Sequence, residues 1–193
     1  KKVIVLEKGE IGEKVSGNTT RKITSQHGLF YEHLINDYGK EYAKKYLEAN
    51  EEAIENIKEI IKKEQIECEF YKQNAYVYTM QEDEVIEIQK EVEAVKELGK
   101  EAEFVTQTEL PFKIKGAIKF KEQAQFHARK YMIGLCKAIL KQNEIYAYTT
   151  VTDVVKEEDK YNIYTDRGNV KAKYVVIATH YPIINMPGFY FTK

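Results

Sequence analysis

The sequence predicts a mixed α/β fold in two lobes, and three observations carry that expectation. Residues 3–6 (Val-Ile-Val-Leu) and 175–178 (Val-Val-Ile-Ala) are continuous apolar, β-branched runs, the pattern of strands buried in a parallel sheet. Residues 40–64 and 82–98 read as long amphipathic helices. Residues 151–173 alternate short strand patterns with turn residues, as a β-meander does. One lobe is therefore assigned to residues 1–28 with 123–193, an incomplete parallel sheet joined by the meander. The other spans residues 29–122, with helices packed on an antiparallel sheet.

The first apolar run stops at Glu7. Residues 9–28 then collect Gly12, Ser16, Gly17, Asn18, Thr19 and Thr20, a composition that favours a long functional loop over regular structure. Residues 29–38 form a short amphipathic helix ended near Gly39. In the long helix over 40–64, Tyr42, Tyr46, Ala49, Ala53, Ile57, Ile60 and Ile61 fall on one stripe, while Glu59 and Lys63 pair at helical spacing on the wet side.

Strands are expected at 68–72 and 75–80, with Gln73-Asn74 as the turn between them. The helix over 82–98 stops at Gly99, and shorter strands follow at 103–105 and 116–121 around Pro111. A third helix at 128–141 places Met132, Leu135, Cys136, Ile139 and Leu140 on its buried side, with Cys136 as core filler. A strand at 151–156 precedes the hairpin of 161–165 with 170–173, turned by Asp166-Arg167-Gly168. Residues 175–178 make the second buried strand, and 179–187 a loop.

Composition excludes several functions. With a net charge of −1 and interleaved signs, the chain has no electrostatic footprint for nucleic acid. Its two cysteines, Cys68 and Cys136, stand far apart without a CxxC pair, and its four histidines are dispersed, so neither a metal site nor a disulfide framework is expected. No apolar run reaches the length of a membrane helix and no signal peptide opens the chain. The expected setting is cytoplasmic, with both thiols reduced and no membrane partner.

Glu7 carries the leading chemical hypothesis. A dinucleotide-binding sheet sets an acidic residue at the carboxyl end of its second strand, where the carboxylate accepts hydrogen bonds from a ribose diol. Val-Ile-Val-Leu-Glu supplies that arrangement. Ser16-Gly17-Asn18-Thr19-Thr20 adds hydroxyls and a glycine where backbone can approach a pyrophosphate. Residues 175–179 end in Ala178-Thr179, small residues that let backbone meet a ligand. His27, His127, Tyr71, Tyr76 and Tyr78 are weaker candidates, each better explained by a surface or packing role. No nucleophile–base–acid set can be assembled, so catalytic residues are not assigned.

These segments resemble a known family. Residues 3–28, with Leu-Glu-Lys and Ser-Gly-Asn-Thr-Thr-Arg-Lys-Ile-Thr-Ser-Gln-His-Gly, resemble the FAD-dependent oxidoreductases of the D-amino-acid oxidase and glycine oxidase superfamily. Ala124-Gln125-Phe126-His127-Ala128-Arg129-Lys130-Tyr131, Val151-Thr152-Asp153-Val154 and Val176-Ile177-Ala178-Thr179-His180-Tyr181-Pro182 extend the match. The pattern is most similar to the branch whose members carry a C-terminal Rieske iron–sulfur domain.

The resemblance implies an FAD-binding Rossmann-type sheet and a set of cofactor contacts. Glu7 would bind the adenosine ribose, with Lys8 near the adenine. Ser16, Thr19 and Thr20 would line the pyrophosphate and ribityl chain, and Ile23 and Thr24 would approach the isoalloxazine ring. Val151 would contact adenine through its backbone. Ala178 and Thr179 match an Ala-Thr-Gly that closes over the cofactor, although His180 stands where the family has glycine.

The family's first strand and glycine-rich phosphate turn belong upstream of Lys1, so the chain reads as a truncated piece. By itself it is expected to be inactive and to hold FAD weakly or not at all, its partners being a small-molecule substrate and the remaining segments of the same protein. The implied parent oxidises an amine, amino acid or hydroxy compound and passes electrons to a 2Fe-2S cluster in a further C-terminal domain. A stand-alone α/β binding or interaction domain, or a domain using NAD in place of FAD, are the rival readings. The flavin reading expects residues 3–6 and 175–178 to lie in one sheet.

Overall fold

The computed structural model describes residues 2–179. In chain order its elements are β1 (Ile4–Leu6), a 3-10 turn (Ser16–Asn18), β2 (Lys22–Ile23), α1 (Tyr31–Tyr38) and α2 (Lys40–Glu64). Then come β3 (Tyr71–Thr79), α3 (Val85–Glu97), β4 (Ala102–Val105), β5 (Gly116–Gln125), α4 (Ala128–Leu140), β6 (Glu144–Tyr146), β7 (Val151–Glu157), β8 (Lys160–Thr165) and β9 (Gly168–Ala172). They divide into two compact units, Lys1–Gly17 with Leu135–Lys193, and Asn18–Gly134. Residues 18–28 fall in the second unit because β2 pairs with β5 there.

In the first unit β1 runs parallel to β6, with Ile4 opposite Glu144, Val5 opposite Ile145 and Leu6 opposite Tyr146. At three residues β6 is too short and too polar at Glu144 to stand out as a strand in the sequence. The expected meander is present as the antiparallel sheet β7–β8–β9. Its tight turn is held by Thr165, whose Oγ1 donates to the Gly168 carbonyl at 2.6 Å and accepts the Arg167 N–H at 3.1 Å.

The run at 175–178 corrects an expectation. Residues 174–179 have no strand assignment, and Tyr174, Val176 and Ile177 are 72%, 89% and 41% exposed. The partner of β1 is β6 instead. An apolar run becomes a strand only where neighbouring backbone takes up its N–H and C=O groups, and no strand among the described residues pairs with this one. The expected loop beyond Thr179 lies outside the described residues.

In the second unit β5 is the central strand. β3 flanks it along its whole length, and the other side is shared by β4, beside Ala117–Phe120, and β2, beside Ala124 and Gln125. The two strands expected at 68–72 and 75–80 are one strand, β3, and Gln73-Asn74 does not reverse the chain: the register slips between Gln73 and Ala75 because β5 carries the extra residue there, at Lys121-Glu122, where Glu122 takes φ +58°. Helices α1, α2 and α3 cover one face of this sheet. There Tyr31, Leu34, Leu47, Ile88, Val92, Val95, Leu98, Ile118 and Phe120 form the main core. Tyr31 and Phe120 stack with ring centroids 6.2 Å apart at 9°.

Two helix faces differ from the sequence reading. The buried stripe of α2 is Ala43, Leu47 and Ile54, while Tyr42 is 53% and Ile60 37% exposed. Two apolar stripes compete along that helix, and the one with Leu47 and Ile54 wins. On α4, Leu140 is 55% exposed and Cys136 half-buried, so the thiol is a less complete core filler than expected. Gly134 is where α4 comes close to Ile66: a Cβ there would sit 2.4 Å from Ile66 Cγ2.

Candidate functional site

In the first unit the hydrogen bonding of β1 and β6 continues past the strand ends and fixes Glu7. Its N–H donates to the Tyr146 carbonyl at 2.9 Å, and its own carbonyl accepts the Thr149 N–H at 2.9 Å. The Tyr148 N–H donates to the Gly9 carbonyl at 3.2 Å. With the main chain so held, the carboxylate turns back on its own loop, and Oε1 accepts the Gly9 N–H at 2.8 Å. The side chain is half-buried at the carboxyl ends of two adjacent parallel strands, the edge where open α/β sheets bind ligands. Lys8 is exposed beside it.

The loop after Glu7 folds tightly on itself. Gly12 takes φ +73°, and a Cβ added at Gly17 would lie 1.8 Å from the Gly12 carbonyl oxygen. No side chain fits at position 17 without moving backbone. Ser16, on the 3-10 turn, presents an exposed hydroxyl. Val151 starts β7 opposite Thr165 and is half-buried. Ala178 and Thr179 are exposed and outside any strand.

In the second unit Thr19 and Thr20 are exposed, whereas Ile23 is 7% exposed and packs with Ile54 and Ala124. Of the candidate residues, Ile23 is thus the one whose side chain packs into the core, beside its strand partner Ala124. Thr24 is half-buried, and its Oγ1 accepts the Gln26 N–H at 3.0 Å. The segment that follows, residues 24–28, is pinned by polar groups that sequence reasoning did not single out.

Ser25 is fully buried. Its N–H donates to Gln123 Oε1 at 2.7 Å, its hydroxyl donates to Glu51 Oε1 at 2.5 Å, and its carbonyl accepts the Tyr31 hydroxyl at 2.5 Å. Gln123 Nε2 donates to the same Glu51 oxygen at 3.1 Å, and Lys100 pairs with Glu51 Oε2. Burial pushes the Tyr31 phenol far above its ordinary value, helped by the nearby Tyr46, Glu51 and Glu91.

Glu91, also fully buried, accepts from the Phe30 N–H (2.8 Å), the Tyr31 N–H (2.9 Å) and Gln26 Nε2 (3.0 Å) through Oε1, and from the Glu32 N–H (2.9 Å) through Oε2. The signal for it was available. Glu91 lies on the stripe Ile88, Val92, Val95 that the helix turns to the core, and a carboxylate at such a position needs dedicated donors. His27 sits exposed at the outside of this segment, its Nε2 3.4 Å from Asn50 Oδ1. His127 has a local role: its N–H donates to the Cys68 carbonyl at 2.7 Å and its Nδ1 accepts the Lys130 N–H at 3.4 Å at the start of α4.

Among the described residues no group of three or more His, Cys, Asp or Glu is placed to hold a metal ion, and no helix is long and apolar enough to cross a membrane. The first unit thus sets an acidic residue at the exit of a parallel strand pair with a glycine-dependent loop behind it, and the second is a helix-covered antiparallel sheet. The family model described as "FAD dependent oxidoreductase" (DAO) matches residues 1–188, and the chain belongs to that family.

A Bacillus subtilis (strain 168) protein named as the Rieske 2Fe-2S iron-sulfur protein YhfW is 34% identical over 190 residues, covering 98% of this chain and 37% of that protein. Two glycine oxidase structures share the fold. The Bacillus cereus ATCC 14579 enzyme has TM-score 0.71 at 20% identity, and the Geobacillus kaustophilus enzyme 0.69 at 19%; each alignment covers 92% of this chain and 49% and 48% of those chains. An L-amino acid deaminase from Proteus myxofaciens aligns with TM-score 0.64 over 87% of this chain and 38% of its own, at 16% identity. The chain therefore spans about half the length of the solved relatives and less of the curated one. The family membership, not the return of residues 175–178 to the β1 sheet, is what sustains the flavin assignment.

Proposed function

We propose that the full-length protein binds FAD and oxidises a small amine, amino acid or hydroxy compound, handing the electrons on to a Rieske cluster. FAD, when bound, supplies the acceptor for the hydride lost from a C–H bond beside the amine or hydroxyl. Every other contribution comes from the polypeptide.

The observation that carries the reading is Glu7. Its carboxylate is braced by the Gly9 N–H at the ends of β1 and β6, so an acceptor pair is fixed where a ribose diol would donate. Lys8 stands beside it for the adenine, and the backbone of Val151 offers amide groups of the same unit. The loop that carries the Gly12–Gly17 contact is kept for the pyrophosphate, and the exposed hydroxyl of Ser16 can donate to it. Thr19, Thr20, Ile23 and Thr24 of the second unit are kept in the assignment, for the ribityl chain and the ring, by the motif they match. Ala178 and Thr179 are kept in the assignment by the motif they match. The chain's own residues thus bind and orient. None of them is assigned a proton-transfer role.

The Rieske part of the proposal leans on the name of the Bacillus subtilis relative, and the substrate class on the amino-acid-oxidising neighbours. Purifying the full-length protein and recording its visible spectrum tests the FAD and Rieske parts. Bands of bound flavin together with those of a reduced-minus-oxidised 2Fe-2S centre are the expected result. A colourless protein that takes up no FAD on reconstitution contradicts the reading.

A further inference from the structure

We infer that Glu91 is the positioning residue for the segment 24–28, fixing the conformation in which that segment meets the flavin; the inference rests on the FAD reading above. A fully buried carboxylate is costly unless it is fully hydrogen-bonded. The donors found for Glu91 come from the segment and the helix start that directly follows it: the side chain of Gln26 and the three successive N–H groups of Phe30, Tyr31 and Glu32 at the start of α1. Glu91 is therefore bonded across a gap of some sixty positions to the residues that bracket His27 and Gly28.

A second clamp holds the other end of the segment. Ser25 is gripped at its N–H by Gln123, at its hydroxyl by Glu51 and at its carbonyl by Tyr31. Between the clamps the outward side chains are His27, exposed, and Leu29, 40% exposed. Gln26 ties the two clamps together: its amide NH₂ donates both to Glu91 and to the Gly28 carbonyl within the same turn.

The test compares E91Q and E91A with V95A. Val95 is equally buried one turn along α3 but touches the general core, so its truncation lowers stability without addressing the segment. Hydrogen exchange on the amides of Phe30, Tyr31 and Glu32 is expected to speed up about ten- to a hundred-fold in E91A relative to β5 amides, the effect of losing hydrogen bonds to a charged acceptor. E91Q is expected to fall between wild type and E91A: its oxygen can still serve Phe30 and Tyr31, while its NH₂ faces the Glu32 N–H. In the FAD-loaded full-length protein E91Q is expected to shift the visible circular dichroism of the flavin, and V95A, matched in Tm, to leave it in place.

The inference is overturned if E91Q changes segment exchange no more than V95A does. It is also overturned if exchange rises while the flavin signal stays that of wild type, which makes Glu91 a structural cap only. A wild-type protein that binds no FAD overturns the function reading and the flavin arm with it, and the exchange arm then still decides whether Glu91 sets the segment.

Discussion

At the scale of single residues, three positions carry distinct physical jobs. Gly17 is steric: with the Gly12 oxygen 1.8 Å from where a Cβ would lie, G17A must displace backbone, so a loss of about 1–3 kcal/mol or more is expected in chemical denaturation, as for other overpacked sites. Tyr31 is electrostatic. Its folded pKa is raised above the ordinary value of 10.0, chiefly by burial. The stability linked to it is therefore complete below pH 10 and is lost as pH rises above that value, because the unfolded chain releases the proton first. Alkaline melts should show wild type losing stability from about pH 10 upward more steeply than Y31F. At neutral pH, Y31F should be about 1–3 kcal/mol less stable, since it strands the buried Ser25 carbonyl. An identical alkaline slope in the two proteins would sink the assignment. Glu7 is positional, and its test comes last.

At the scale of elements, the sequence was informative where periodicity was simple and silent where pairing decided the outcome. The bounds of α2 were legible because Gly39 and a long 3.6-residue pattern frame it. Its buried face was not, because two apolar stripes run along it and only the packed sheet chooses between them. L47A is expected to cost about 2–5 kcal/mol, and Y42A less than about 1 kcal/mol, in thermal unfolding. The reverse order would mean the helix is rotated. Gln73-Asn74 looked like a turn because those residues favour turns, yet β3 runs straight through them and the bulge opposite is carried by Lys121-Glu122 of β5, which only the pairing reveals. Residues 175–178 read as a strand because they are apolar, and composition cannot state whether a partner strand stands beside them. Glu51 and Gln123 were missed for a related reason: polar residues in mostly polar segments announce burial only when the opposite stripe is known; Glu91, set in the apolar stripe of α3, was legible and overlooked.

At the scale of the whole molecule, the mixed α/β class, the meander and the helix-covered antiparallel sheet were legible in the sequence, as was the flavin-oxidoreductase family. What the family cannot convey is which groups do the binding, since a fold hosts many chemistries and the site must be argued from its own residues. Glu7 is the one point where the sequence motif, the parallel strand pair and the family assignment meet. The affinity of full-length protein for FAD, measured by titrating the apoprotein of wild type and E7Q, tests that meeting point most directly. The expected result is a Kd raised about ten- to a hundred-fold in E7Q, with Tm of the apoprotein little changed, as a charged acceptor to the ribose hydroxyls is lost. Equal affinity for FAD in the two proteins would contradict the assignment of Glu7 and the site built around it.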